Sequence, residues 1–103
     1  MEYRVEVSES ADRDLDAILT YIADELASPK AASDFADEVD AKYEMLETYP
    51  FMFELSRNER LAKIGYRRFV IGNYIALYLV DEGKRIVTIS RIFYGKQDYE
   101  KHI

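Results

Sequence analysis

Tyr3, Val5 and Val7 alternate with Glu2, Arg4 and Glu6, the two-residue period of a strand with one buried face. The period then changes. Ala11, Leu15, Ile18, Leu19, Ile22 and Leu26 recur at spacings of three and four, which predicts a helix from about residue 9 to 26 with one apolar stripe. Ser8 and Ser10 offer capping oxygens, and Asp12 and Asp14 stand where a helix N-terminus favours negative charge. Ser28-Pro29 signals a second helix, because proline's missing N–H costs nothing in the first turn. That helix buries Ala32, Phe35, Val39, Tyr43 and Leu46, turns Asp34, Asp37, Glu38 and Glu44 to water, and stops at Tyr49-Pro50. So short a link between the two helices predicts an antiparallel hairpin.

Residues 51–64 show no clean period and read as a loop with a turn near Ser56–Glu59. Gly65 opens a strand of about six residues, Gly72-Asn73 turns it, Tyr74–Val80 forms the next strand, Glu82-Gly83 turns again, and Arg85–Phe93 forms the last. Tyr74–Val80 is apolar on both faces, which predicts a central strand covered on both sides. The expected fold class is therefore α+β, in the order β-α-α-β-β-β. An antiparallel helix hairpin packs on a small, mainly antiparallel sheet, with the first strand beside the C-terminal ones.

With 103 residues, 49% hydrophobic and 33% charged, the chain reads as one globular domain over residues 1–103. Cysteine is absent, which excludes a disulfide framework and thiolate chemistry. The one histidine, His102, lies beside the C-terminus, so neither a metal site nor a cofactor is expected. The alternating N-terminus does not read as a signal peptide, and no apolar run approaches membrane-spanning length, so no membrane partner is expected and the cytoplasm is the default.

Charge divides the chain. Residues 1–49 hold 14 Asp/Glu and 4 Lys/Arg, a formal −10, whereas residues 50–103 hold 6 and 10, a formal +4; together these make the chain's −6. Such asymmetry reads either as a nucleic-acid face or an oppositely charged partner site on the C-terminal half, or as no more than the solvated acidic sides of amphipathic helices and strands that end in Arg. Arg57, Arg60, Arg67, Arg68, Arg91 and Lys96 are expected to include a spatial cluster on that half, with the helix hairpin acidic. Carboxylate pairs such as Asp12 with Asp16 and Asp34 with Glu38 have helical spacing but no histidine or third carboxylate, and they read as solvated helix faces. The nine tyrosines read first as core or rim packing with wet hydroxyls, and Tyr94 and Tyr99 are the best placed for the alternative, stacking on bases. Gly72 and Gly83 read as turn glycines, and no glycine-rich phosphate loop exists.

Taken in order, Tyr3-x-Val5-x-Val7-x-x-Ser10-Ala11-x-x-Asp14-Leu15, the hairpin ending at Tyr49-Pro50, Gly65-Tyr66-Arg67-Arg68, Tyr78-x-Val80-Asp81 and Arg91-Ile92-Phe93-Tyr94-Gly95-Lys96-Gln97-Asp98-Tyr99 resemble the RelE/ParE-type toxins of bacterial type II toxin-antitoxin systems. The likeness spans nearly the whole chain and lies in order and spacing, since no single motif is specific. It implies a growth-inhibiting toxin, of a kind tied to plasmid stabilization, that a cognate antitoxin silences by wrapping it with an extended segment. A member that had lost toxicity would serve as an antitoxin-binding module alone.

The family holds two biochemistries on one fold. RelE-like members cut mRNA in the ribosomal A site, and ParE-like members poison DNA gyrase. Metal-free RNA cleavage requires deprotonation of the 2′-hydroxyl, stabilisation of phosphorane charge and protonation of the leaving oxygen. The resemblance makes Arg91 and Tyr94 the catalytic candidates, with Arg57, Arg60, Arg67, Arg68 and Lys96 as RNA- or partner-binding cations. A phenol starting near pKa ~10 is a reluctant base. RelE-like nucleases carry an Arg directly after the Tyr that opens the middle strand, where this chain has Tyr74-Ile75; where related nucleases place a His-Tyr pair, it has Phe93-Tyr94. These departures and the acidic balance favour the ParE-like function, with a metal-independent endoribonuclease as the alternative.

Overall fold

The computed structural model describes residues 2–97. Strand β1 (Arg4–Val7) leads into helix α1 (Glu9–Thr20), a π turn over Tyr21–Glu25, and helix α2 (Pro29–Thr48). A short helix α3 (Glu59–Ile64) precedes the meander β2 (Arg67–Ile71), β3 (Tyr74–Asp81) and β4 (Ile86–Tyr94), which ends in a 3₁₀ turn over Gly95–Gln97. The sheet runs β1-β4-β3-β2, with β1 parallel to β4 and the other two pairings antiparallel. The expected α+β class, the hairpin and the placing of β1 beside the C-terminal strands all hold.

Local chemistry sets the boundaries. The Ser8 hydroxyl accepts from the Ala11 N–H at 3.0 Å and starts α1; that of Ser28 accepts from the Ala31 N–H at 3.3 Å and starts α2 at Pro29. The end of α1 departs from its sequence period. Leu26 N–H reaches back to the Tyr21 carbonyl, an i→i+5 bond, and the wider turn shifts the helical phase. Leu26, expected on the buried stripe, is therefore 56% exposed.

The stretch expected to be a loop holds α3, a second correction. Asn58 Oδ1 accepts from the Leu61 N–H at 3.1 Å, and Gly65 closes the helix at φ +110, a left-handed conformation that favours glycine. Gly65 thus ends a helix, and β2 begins two residues later.

Two layers of apolar side chains clamp the sheet. On one face Ala11, Ile18, Val39 and Leu46 of the helices meet Phe69, Tyr78, Ile89 and Ile92. On the other, Leu61 of α3 packs with Leu77 and Phe93, and Tyr66 and Ile75 lie against them. This second layer is why β3 is apolar on both sides. It also explains α3, whose buried Leu61 covers a face the hairpin does not reach.

Candidate functional site

Strand β4 outruns its neighbour. The parallel pairing of β1 with β4 ends at Val7 opposite Ile89, and among the described residues no strand flanks Ser90–Tyr94 on that side. Between Tyr78↔Ile89 and Leu77↔Arg91 the ladder slips by one residue, leaving Ser90 as a bulge. Side chains at the start of α1 satisfy the exposed backbone. Ser8 Oγ donates to the Ser90 carbonyl at 2.9 Å while accepting from Ala11, and Asp14 Oδ2 accepts from the Ile92 N–H at 2.9 Å.

Asp14 also grips Arg91 with both oxygens. Nε donates to Oδ2 at 2.8 Å and Nη2 to Oδ1 at 3.2 Å, a bidentate pair. The catalytic candidate Arg91 is therefore locked against a carboxylate of α1. Tyr94, the second candidate, sets its ring edge-on to Tyr74 at 5.5 Å, and Tyr74 meets Phe35 edge-on at 5.4 Å. Burial, with Tyr21 and Tyr94 as neighbours, raises the Tyr74 hydroxyl pKa above its ordinary value.

These aromatic rings floor a cleft of about 810 Å³ between the helix hairpin and the end of β4; Asp14, Ile18, Tyr21, Phe35, Tyr74 and Tyr94 are among its walls. Just outside, Asp16, Asp24 and Glu25 line a shallower hollow that shares Ala17 and Tyr21 with it. Sequence reasoning named Tyr94 as a base or stacking platform and missed the cleft. Its walls come from segments distant along the chain, and the π turn that lends it Tyr21 and Ile22 leaves no periodic signal. No group of His, Asp or Glu among the described residues could hold a metal ion.

Of the expected cations, Arg57, Arg67 and Arg68 cluster and Arg91 stands apart. Arg68, Leu77 and Arg91 form one cross-strand row, yet Arg68 is held by Glu54, next to β2, and Arg91 by Asp14 of α1. Arg68 is 6% exposed, and its Nη1 donates to Glu54 Oε1 at 2.8 Å; Arg57 Nε donates to the same oxygen at 3.3 Å. The bond from Arg68, helped by Arg57, holds the Glu54 carboxyl below the usual carboxylate range. Arg67 donates to the Phe53 carbonyl at 2.7 Å and lies over the Phe51 ring at 5.1 Å. Arg57, Arg67 and Arg68 thus come together around residues 51–54 as a clamp on that segment. Arg60 on α3 and Lys96 on the 3₁₀ turn are exposed. Tyr99 and His102 lie outside the described residues.

Comparison with known proteins agrees with this geometry. The solved toxin-antitoxin complex RelBE2 from Mycobacterium tuberculosis contains a chain of the same fold, with TM-score 0.64, 23% identity, and 91% of this chain and 99% of that one covered. A chromosomal ParDE system from P. aeruginosa aligns with TM-score 0.69 and 19% identity over 89% and 95% of the two chains. In sequence, Toxin ParE1 of Caulobacter vibrioides is 33% identical over 97 residues, 94% of each chain. Residues 5–99 match the family described as ParE toxin of type II toxin-antitoxin system, parDE. A match running from within β1 past the end of β4 takes in all three α-helices and reaches all four strands, and the chain therefore belongs to the ParE toxin family of type II toxin-antitoxin systems.

Proposed function

We propose that this toxin arrests growth in the ParE-like manner, by acting on DNA gyrase, and that it does not cleave mRNA. The grip of Asp14 on Arg91 carries this reading. A guanidinium that stabilises a phosphorane must aim its donors at the phosphate, and here Nε and Nη2 are aimed at a carboxylate that cancels the charge. Ile75, where RelE-like nucleases carry an arginine, packs against Leu61, Leu77 and Phe93 and offers phosphate nothing. Tyr94 is held in a row of rings.

Purified protein is expected to inhibit gyrase supercoiling and to leave mRNA intact on programmed ribosomes. Site-specific cuts that disappear in Arg91→Ala, with a rate loss of ~10²-fold or more, would overturn this assignment in favour of the nuclease.

The antitoxin's extended segment docks in the cleft between hairpin and sheet. Past the Ile92 N–H that Asp14 takes, the end of β4 has no neighbouring strand among the described residues and offers main-chain hydrogen bonds, the aromatic floor takes apolar side chains, and Asp16, Asp24 and Glu25 beside the cleft favour lysine or arginine. Coexpression with the adjacent gene, followed by a pull-down from either partner, tests this. Failure to copurify in both orientations counts against it.

A further inference from the structure

The opposite edge of the sheet carries a second surface that the cleft does not explain. Strand β2 is the outer strand, and residues 54–56 cover only its start. Arg68 N–H donates to the Glu54 carbonyl at 3.0 Å, Ser56 N–H donates to the Tyr66 carbonyl at 2.8 Å, and Leu55 forms a single bridge with Arg67. Beyond them Val70, the next residue whose backbone faces outward, is half exposed. The segment running to this edge displays large apolar side chains. Tyr49 is 64% exposed, and Phe51, Met52 and Leu55 are each close to half exposed. Scattered exposed apolar residues need no explanation, but here four fall within seven consecutive residues beside an open sheet edge.

The local charge is opposite to that of the hairpin. Residues 50–70 carry Arg57, Arg60, Lys63, Arg67 and Arg68 against Glu54 and Glu59, a formal +3 in a chain of −6. Arg60 and Lys63 are exposed on α3. Exposed aromatic and methionine side chains with a cationic rim fit a protein face of aliphatic side chains ringed by Asp and Glu. An RNA backbone fits less well, since Arg67 and Arg68 already donate to the Phe53 carbonyl and to Glu54.

We propose that this β2-edge surface, made of Tyr49, Phe51, Met52 and Leu55 together with Arg60 and Lys63 exposed on the α3 that follows, is where the toxin grips its protein target, through an acidic-rimmed apolar face of that target. The inference rests on the growth-arrest reading above. It gives the molecule two separate faces, the cleft for the antitoxin and the β2 edge for the target, so toxicity and antitoxin binding are separable by mutation.

The test uses the full chain in two double variants, Tyr49→Ser/Met52→Ser and Arg60→Glu/Lys63→Glu. All four side chains are exposed, so the fold is expected to survive; thermal melting checks it. Each variant is expected to raise the concentration for half-inhibition of gyrase about tenfold or more and to lose growth arrest on induction. Both are expected to bind the antitoxin encoded by the adjacent gene with an unchanged Kd. Folded variants that keep full inhibition overturn the proposal. So do folded variants that lose antitoxin affinity along with inhibition, which would make this the antitoxin's face. RNA binding by the wild type that falls in Arg60→Glu/Lys63→Glu together with arrest would assign the surface to nucleic acid instead. A wild type that arrests no growth removes the toxin reading itself, and the proposal with it.

Discussion

Two tyrosines with buried hydroxyls show how the same side chain takes opposite roles. Tyr78 is fully buried, and its hydroxyl donates to the Pro50 carbonyl at 2.9 Å, tying the end of the hairpin to the middle of the sheet. The Tyr43 hydroxyl is buried without a hydrogen-bond partner among the described residues. Removing a paired hydroxyl strands the Pro50 carbonyl, whereas removing an unpaired one relieves a desolvated group. Tyr78→Phe is expected to lower stability by about 1–2 kcal/mol and Tyr43→Phe to raise it by up to about 1 kcal/mol, read as urea midpoints. Burial pushes both phenols up to about 12, helped at Tyr43 by Asp12 and Asp40; at Tyr78 Arg67 and a backbone hydrogen bond oppose it. A folded pKa above the unfolded value of ~10 means stability is complete below that pH and drains as pH rises towards the folded value. Alkaline titration of the midpoint should therefore show a steep loss, shallower in Tyr43→Phe, whose phenol no longer contributes.

Among the elements, α3 is the one whose chemistry was written in the sequence but masked by its length. Six residues are too few for a periodic stripe, and the usable signals were punctuation: Asn58 before Glu59 at the start and Gly65 at the end. Gly65 was legible as a break but was assigned to the wrong side of it. Asn58→Ala, which removes the cap on Leu61, and Gly65→Ala, which forces a Cβ into φ +110, are each expected to cost about 1 kcal/mol. The space around Gly65 is open enough that its conformation, not crowding, sets the cost; the atom nearest to a new Cβ is Leu79 Cδ2 at 3.9 Å. In β1, α2 and the meander, by contrast, periods of two and 3.6 and the turn residues sufficed, because packing against one face dictates each alternate or third residue. The candidate site was half legible. Arg91, Tyr94, Arg67 and Arg68 stood out as residue types, but their partners Asp14, Glu54 and the Phe53 carbonyl lie 77, 14 and 14 residues away. Spacing along the chain cannot show whether a cation faces a ligand or its own fold.

Over the whole molecule, charge is arranged by element more than by sequence half. Negative groups ride on the outer faces of α1 and α2, and the positive excess gathers on α3 and along β2, while Arg91 is taken out of that balance by Asp14. The cleft proposed for the antitoxin therefore lies on the acidic side of the molecule, next to the hollow lined by Asp16, Asp24 and Glu25. Charges at a rim act chiefly on encounter; they raise the association rate and are screened within about 10 Å at 0.1 M salt. Association of the antitoxin encoded by the adjacent gene is expected to slow as salt rises from about 50 to 500 mM, while dissociation, governed by the aromatic floor of Phe35, Tyr74 and Tyr94, changes little. The triple variant Asp16→Asn/Asp24→Asn/Glu25→Gln is expected to cut the association rate several-fold at low salt and to flatten its salt dependence. Phe35→Ala should act the other way, speeding dissociation with little effect on the salt slope. Stopped-flow traces in which the triple variant associates as fast as the wild type at low salt would show that the antitoxin does not approach over this rim.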